Sequence, residues 1–188
     1  MTAARTFVRE LRAAINGNIG RDVRVLRVET VPENFHARYS AIEKTYVYRI
    51  VNGLVISPFW VRYAHQEARP LDLERMKQGA QLFLGKHDWT AFSAAQSDVE
   101  DRVRTVTQVE ISERADERSH GSLIEIRVSA DGFLRYMVRA IAGTLLAMGR
   151  GELDRETGVV LVVDDALGRR ATRWLGHRVT SRPATSAR

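Results

Sequence analysis

Arg135 and Arg139 stand four residues apart in the run Asp131 to Gly149, whose remaining residues are mostly apolar or small. On a helix that spacing sets them one above the other, as two permanent cations with forked donors suited to oxyanions. Upstream, Arg38, Lys44 and Arg49 surround an aromatic run that contains Tyr46 and Tyr48. Cations interleaved with aromatic faces suit a polyanion surface. Solvated outer-face arginines and half-buried packing tyrosines would explain the same residues without a site, and Arg139 is the stronger site candidate of the two arginines. Other chemistries find little footing. His36, His65, His87, His120 and His177 include no pair three or four apart, and cysteine is absent, so no metal site is expected. Neither a GxGxxG loop nor a GK[ST] loop occurs, so no nucleotide cofactor is indicated, and no G-x-S-x-G elbow supplies a serine nucleophile. Asp88, Asp98, Asp101 and Asp131 read as capping or turn residues.

The elements that must position these side chains follow from periodicity. Phe133, Met137, Ile141 and Leu145 recur every fourth residue, with Leu134, Val138 and Met148 widening the stripe. The spacing predicts a helix over 132–149, buried along that side and stopped by Gly149 and Gly151. Thr6 to Ile15 reads as a short amphipathic helix, and Val23 to Val31 as a strand with a bulge. Lys44 to Val51 is an aromatic and β-branched strand closed by Asn52-Gly53, with Tyr46, Tyr48 and Ile50 on one face and Lys44 sharing their parity. Ser57 to Tyr63 reads as a further short strand, Leu71 to Leu84 as a second amphipathic helix ended by Gly85, and Lys86 to Ser93 as a turn. Ala94 to Asp101 reads as a loop that stays mobile until something binds. Val103 to Glu113, with Val103, Val109 and Ile111 on one face, pairs as an antiparallel hairpin with Leu123 to Ala130 across a charged turn at 114–122. The hairpin feeds the helix after it, which packs across the sheet.

The chain has 188 residues, 44% of them hydrophobic, enough for one domain with a proper core or one domain plus part of another. The absence of cysteine fits a reducing compartment, and no run approaches a membrane span or a signal peptide, so a cytoplasmic protein with no membrane partner is expected. Formal charge is +6, and arginine greatly outnumbers lysine, which favours phosphate contacts. The residues by themselves reach a basic α+β domain suited to RNA.

A more specific reading comes from four ordered motifs. Phe35-His36-Ala37-Arg38-Tyr39-Ser40-Ala41 with Lys44-Thr45-Tyr46-Val47-Tyr48, then Asp88-Trp89-Thr90-Ala91-Phe92, then Val103-Arg104-Thr105-Val106, and finally Gly132-Phe133-Leu134-Arg135-Tyr136-Met137-Val138-Arg139 with Gly143-Thr144-Leu145-Leu146 resemble the TruA-type tRNA pseudouridine synthases over about residues 5–152. The resemblance implies an α+β fold, with a mixed, mainly antiparallel sheet and helices packed on one face. It implies a cofactor-free isomerase that converts uridine to pseudouridine in the anticodon stem-loop, with tRNA as partner and a homodimer as assembly. Tyr46 matches the active-site tyrosine that packs on the target uracil, and Arg139 the arginine that pairs with the catalytic aspartate. Arg38 and Lys44 would meet backbone phosphates, and Arg135 is a further RNA-binding candidate. The family's G-R-T-D-x-G-V-H-A motif, which holds that aspartate, does not occur in these residues, nor does the A-P-x-x-G-L element after Gly151. The expected organisation is a remnant of the N-terminal half at 1–41 (helix and strand), the C-terminal synthase domain at 42–152, a divergent segment at 153–176 and a disordered tail at 177–188. A truncated copy, inactive by itself, is the expectation; a non-catalytic RNA-binding or assembly module derived from the enzyme is the alternative. An Arg139 buried without its aspartate would be costly.

Overall fold

The computed structural model describes residues 2–94, 99–153, 159–164 and 170–175. Residues 95–98 of the loop expected at 94–101 and the whole tail at 177–188 lie outside the described residues. The chain divides into two compact units, 1–41 and 42–188.

In the first unit, helix α1 (Thr2–Asn18) runs further at both ends than its apolar spacing suggested. The stretch Val23 to Val31 is not a strand: it has no ladder partner among the described residues. It is held instead by Asn16, whose side-chain amide donates to the Val25 carbonyl at 2.8 Å and accepts from the Val25 amide at 2.8 Å. One polar side chain thus takes over the pairing that β-branched residues seek from a neighbouring strand.

The second unit is built on a five-stranded sheet in the order β2-β1-β5-β4-β3. Its strands are β1 (Lys44–Asn52), β2 (His65–Glu67), β3 (Gly85–Asp88), β4 (Val103–Asp116) and β5 (Gly121–Ala130). Only β1 and β2 run parallel; the other neighbours are antiparallel. Tyr46, Tyr48 and Ile50 of β1 lie opposite Val128, Ile126 and Ile124 of β5 and share their face. Onto that face pack α2 (Leu73–Ala80) and α3 (Met137–Gly149), with Met76, Ile124, Ile126, Met137, Ile141 and Leu145 fully buried between the layers. Phe83, Trp89 and Phe92 close one end of this core edge to face, and the Trp89 indole donates to the Arg104 carbonyl at 2.9 Å. Beyond the sheet, β6 (Val159–Asp164) and β7 (Arg170–Leu175) form an antiparallel pair.

Several elements depart from the periodicity reading. Ser57 to Tyr63 is a pair of tight turns, with Trp60 N–H donating to Ser57 O and Tyr63 N–H to Trp60 O at 2.8 Å each, and the strand follows it at His65. Lys86 to Asp88 belongs to edge strand β3 rather than to a turn. The β4–β5 ladder continues to Asp116 and Gly121, so the turn is shorter than 114–122. A bulge between Val106 and Gln108 breaks the alternation of β4, so Val106, Val109 and Ile111 face the core while Val103 is exposed. Gly132 does not start α3. The Asp131 carboxylate is taken by the Thr105 amide at 3.0 Å, and the Arg135 carbonyl accepts from Ala94 N–H at 3.1 Å. Helical bonding begins at Tyr136, which turns the chain with a left-handed φ of 69°.

Candidate functional site

Period two in β1 and the register with β5 bring an aromatic ladder to the open end of the α3 face. Lys44 begins it, exposed and opposite Ala130. Tyr46 comes next, 53% exposed, with the Phe133 ring edge-on at 4.9 Å and 84°. Tyr48, opposite Ile126, is half-buried against the core. Burial pushes its phenol above the ordinary 10.0, and the positive charge of Arg139 opposes that push. Arg139 on α3 therefore lies within electrostatic reach of the β1 tyrosine face.

The irregular stretch before α3 supplies the rest. Arg135 and Arg139 do not stack as successive turns of one helix, because α3 starts between them. Instead both guanidiniums lie against the Tyr136 ring, Arg135 at 5.1 Å and Arg139 at 5.6 Å from its centroid. The Arg135 Nη2 also donates to the Tyr136 hydroxyl at 3.3 Å. All three side chains are exposed. The buried, partnerless Arg139 that would have been costly is thus absent, since solvent hydrates its charge. Among the described residues neither arginine has a carboxylate within 4.0 Å.

Arg38 belongs to the first unit, where its guanidinium lies 5.7 Å from the Tyr39 centroid in an exposed turn anchored by His36. That unit also has a groove of about 310 Å³ lined by Arg9, Arg12 and Arg27 with Val8, Leu26 and Val28. Arg12 donates to the Leu26 carbonyl and Arg27 pairs with Glu29, so two of its three cations are already engaged.

Three of the loop aspartates do backbone work. Asp88 accepts from the Thr90 amide and hydroxyl, which hold its carboxyl below the usual range, Asp101 accepts from the Val103 amide, and Asp131 from the Thr105 amide. Asp98 lies outside the described residues. The apolar spacing gives Phe133 a core role and assigns Tyr136 none. The available signal was the placement of Tyr136 beside Arg135 and three residues before Arg139.

Residues 80–166 match the family described as tRNA pseudouridine synthase. The chain is 41% identical over 144 residues to tRNA pseudouridine synthase A 2 of Clostridium perfringens (strain 13 / Type A), a match covering 77% of this chain and 57% of that protein. It is 38% identical over 149 residues to tRNA pseudouridine synthase A of Bacillus sp. (strain KSM-64), covering 79% of this chain and 59% of the relative. With tRNA pseudouridine synthase A of Clostridium botulinum (strain Eklund 17B / Type B) it shares 37% identity over 162 residues, 86% of this chain and 64% of the relative. The chain therefore spans less than two thirds of the length of these curated relatives. With the sheet and helix arrangement expected of that fold and relatives of one kind along most of its length, the chain is homologous over about three quarters of its residues to the TruA-type tRNA pseudouridine synthases.

Proposed function

We propose that this chain carries the part of a tRNA pseudouridine synthase that holds the flipped uridine and the arginine partner of the catalytic aspartate. In the isomerisation the bond from ribose C1′ to uracil N1 breaks, the base turns, and C1′ bonds to C5. C5 then loses a proton and N1 gains one, so no external reactant is consumed. Tyr46, half exposed with Phe133 bracing its ring, is suited to pack on the uracil and to act at the final proton removal. Arg139 would keep an aspartate ionised beside C1′, while Lys44, Arg135 and Arg38 meet phosphates. What supports this reading is the shared face of Tyr46 and Tyr48 on β1, together with the positive charge of Arg139 acting on the Tyr48 phenol.

No G-R-T-D-x-G-V-H-A run occurs in the 188 residues, and a polypeptide of these residues alone is proposed to bind tRNA without turnover. The test measures tritium release from a tRNA transcript carrying 5-tritiated uridine. None is expected from the 188-residue polypeptide, and release would sink that part of the proposal. Fusion to a synthase segment that carries a G-R-T-D-x-G-V-H-A run should restore release, and Arg139→Gln in the fusion should abolish it. A fusion that binds tRNA in a salt-sensitive way yet stays silent would favour the second reading, a non-catalytic RNA-binding or assembly module. That reading draws on the two solvent-facing arginines, which have no carboxylate partner among the described residues. Assembly as a homodimer is proposed on the apolar run Leu54, Val55, Phe59, Val61 and Tyr63, each more than half exposed, and a monomeric mass in sedimentation would refute it.

A further inference from the structure

We infer that His36 is a positioning residue: through an unprotonated Nδ1 its imidazole folds the turn 36–40 and so fixes the backbone from which Arg38 meets RNA. The inference rests on the tRNA reading for its ligand and on the hydrogen bonds of the turn for its geometry. The Arg38 amide donates to His36 Nδ1 at 3.1 Å, and the Tyr39 amide donates to the same atom at 3.2 Å. Two further bonds close the turn, from His36 N–H to Ser40 Oγ at 2.9 Å and from Ser40 N–H to the His36 carbonyl at 2.8 Å. His36 takes part in every one of these bonds. Its ring also packs on that of Tyr39, with centroids 4.3 Å apart, and the Arg38 guanidinium lies 5.7 Å from the Tyr39 centroid.

A single turn that continues into no helix leaves its amides to water unless a side chain accepts them. Aspartate, asparagine and serine are the residues that commonly do so, for amides two and three positions ahead. Here an imidazole stands in their place, with a chemical consequence. Nδ1 accepts only while it carries no proton, so the ring that holds the turn is the neutral Nε2–H tautomer, and the imidazolium, a donor at both nitrogens, cannot hold it. Tyr39 and, through its amide, Arg38 are the ionisable residues set against the ring. Among the described residues no carboxylate pairs with His36 or Arg38; the ion pair of the first unit joins Arg27 to Glu29. Every residue of the turn is exposed, so burial is not what retains the imidazole, and Arg38 is open to an oxyanion. An arginine whose backbone is fixed beforehand gives up less freedom when it meets a phosphate.

The test uses the 188-residue chain and three variants. His36→Ala removes the acceptor, His36→Asn supplies an Oδ1 that accepts the same amides without titrating, and Arg38→Ala removes the cation. At about pH 7.5 and about 50 mM salt, His36→Ala and Arg38→Ala should each lower the affinity for a tRNA transcript about threefold. The double variant should lose no more than either, and His36→Asn should bind as the wild type does. Losses that add, full binding by His36→Ala, or no recovery in His36→Asn would each overturn the inference. NMR reads the proton: in the wild type the Arg38 and Tyr39 amide resonances should move in step with the His36 ring between about pH 7.5 and about pH 5.5, and in His36→Asn they should stay in place. Wild-type amides that ignore the titration of the ring would overturn the inference equally. If the wild-type chain binds no tRNA, the tRNA reading fails, and the amide titration alone decides whether His36 anchors the turn: movement in step upholds the anchor, and no movement overturns it.

Discussion

Tyr48 reports on how closely Arg139 approaches the strand face. Burial raises its phenol above 10.0 and the arginine charge partly offsets the rise. A tyrosinate absorbance titration should therefore show one phenol ionising above the ordinary range, and Arg139→Gln should move it higher still, because an opposing positive charge has gone. A downward or absent shift would mean that Arg139 does not face β1. The sign for stability follows: the neutral phenol is favoured in the folded state, so the contribution is full below pH 10.0 and is lost as pH climbs through the raised value. At this scale the sequence was informative where side-chain type and period coincide. Tyr46, Tyr48 and Lys44 fell on one face because β1 alternates without interruption. The contact of both guanidiniums with the Tyr136 ring was not legible, because a tyrosine at positive φ has no sequence signature and the four-residue spacing of the arginines suggested a continuous helix.

Between elements, the edge strand β2 is tied to the end of α3 by charge. Glu67 accepts from the Arg69 amide and Nε on one oxygen and from Arg150 Nη1 at 3.1 Å on the other, while Arg150 and Arg69 both reach Glu152. Burial pushes the Glu67 carboxyl up, but the bonds from Arg69 and Arg150 outweigh it and hold it below 4.5. Its stabilising contribution is therefore present above that value and lost as pH falls through the lowered one. Arg150→Ala should cost about 2 kcal/mol in urea unfolding at neutral pH, and the loss should shrink in acid as the carboxyl protonates. The two helices also interlock through glycine. A Cβ on Gly149 would stand 2.7 Å from Met76 Sδ and 2.8 Å from its Cγ, whereas one on Gly143 would meet nothing within 4 Å. Gly149→Ala should destabilise by about 1–3 kcal/mol, and Gly143→Ala should stabilise by up to about 1 kcal/mol, both read as shifts of the unfolding midpoint. The existence of α2, α3, β1 and the β4–β5 hairpin was readable from apolar spacing, since each buries one face. Val103 was misassigned because the bulge at Thr107 exchanges the faces midway, and Val23 to Val31 because composition says nothing about whether a partner strand lies alongside.

For the whole molecule, the decisive feature is that, among the described residues, the core lies within the second unit, from Ile50 to Met148, with Leu153 packed against it. None of the described side chains of residues 7–41 is buried. Apolar burial is what stabilises a domain, so the free energy of the second unit should depend little on residues 1–41. A chain that starts at Ile42 is expected to keep a cooperative thermal transition and the fluorescence of its fully buried Trp89. It lacks Arg38, however, and the cations of the first unit. If Arg38 meets a phosphate in the complex, the slope of log affinity for tRNA against log salt should fall by about one unit for each contact removed, while the transition temperature stays put. Loss of the transition would show that the first unit shapes the core of the second; an unchanged slope would remove Arg38 from the RNA contacts and leave the phosphates to Lys44 and Arg135.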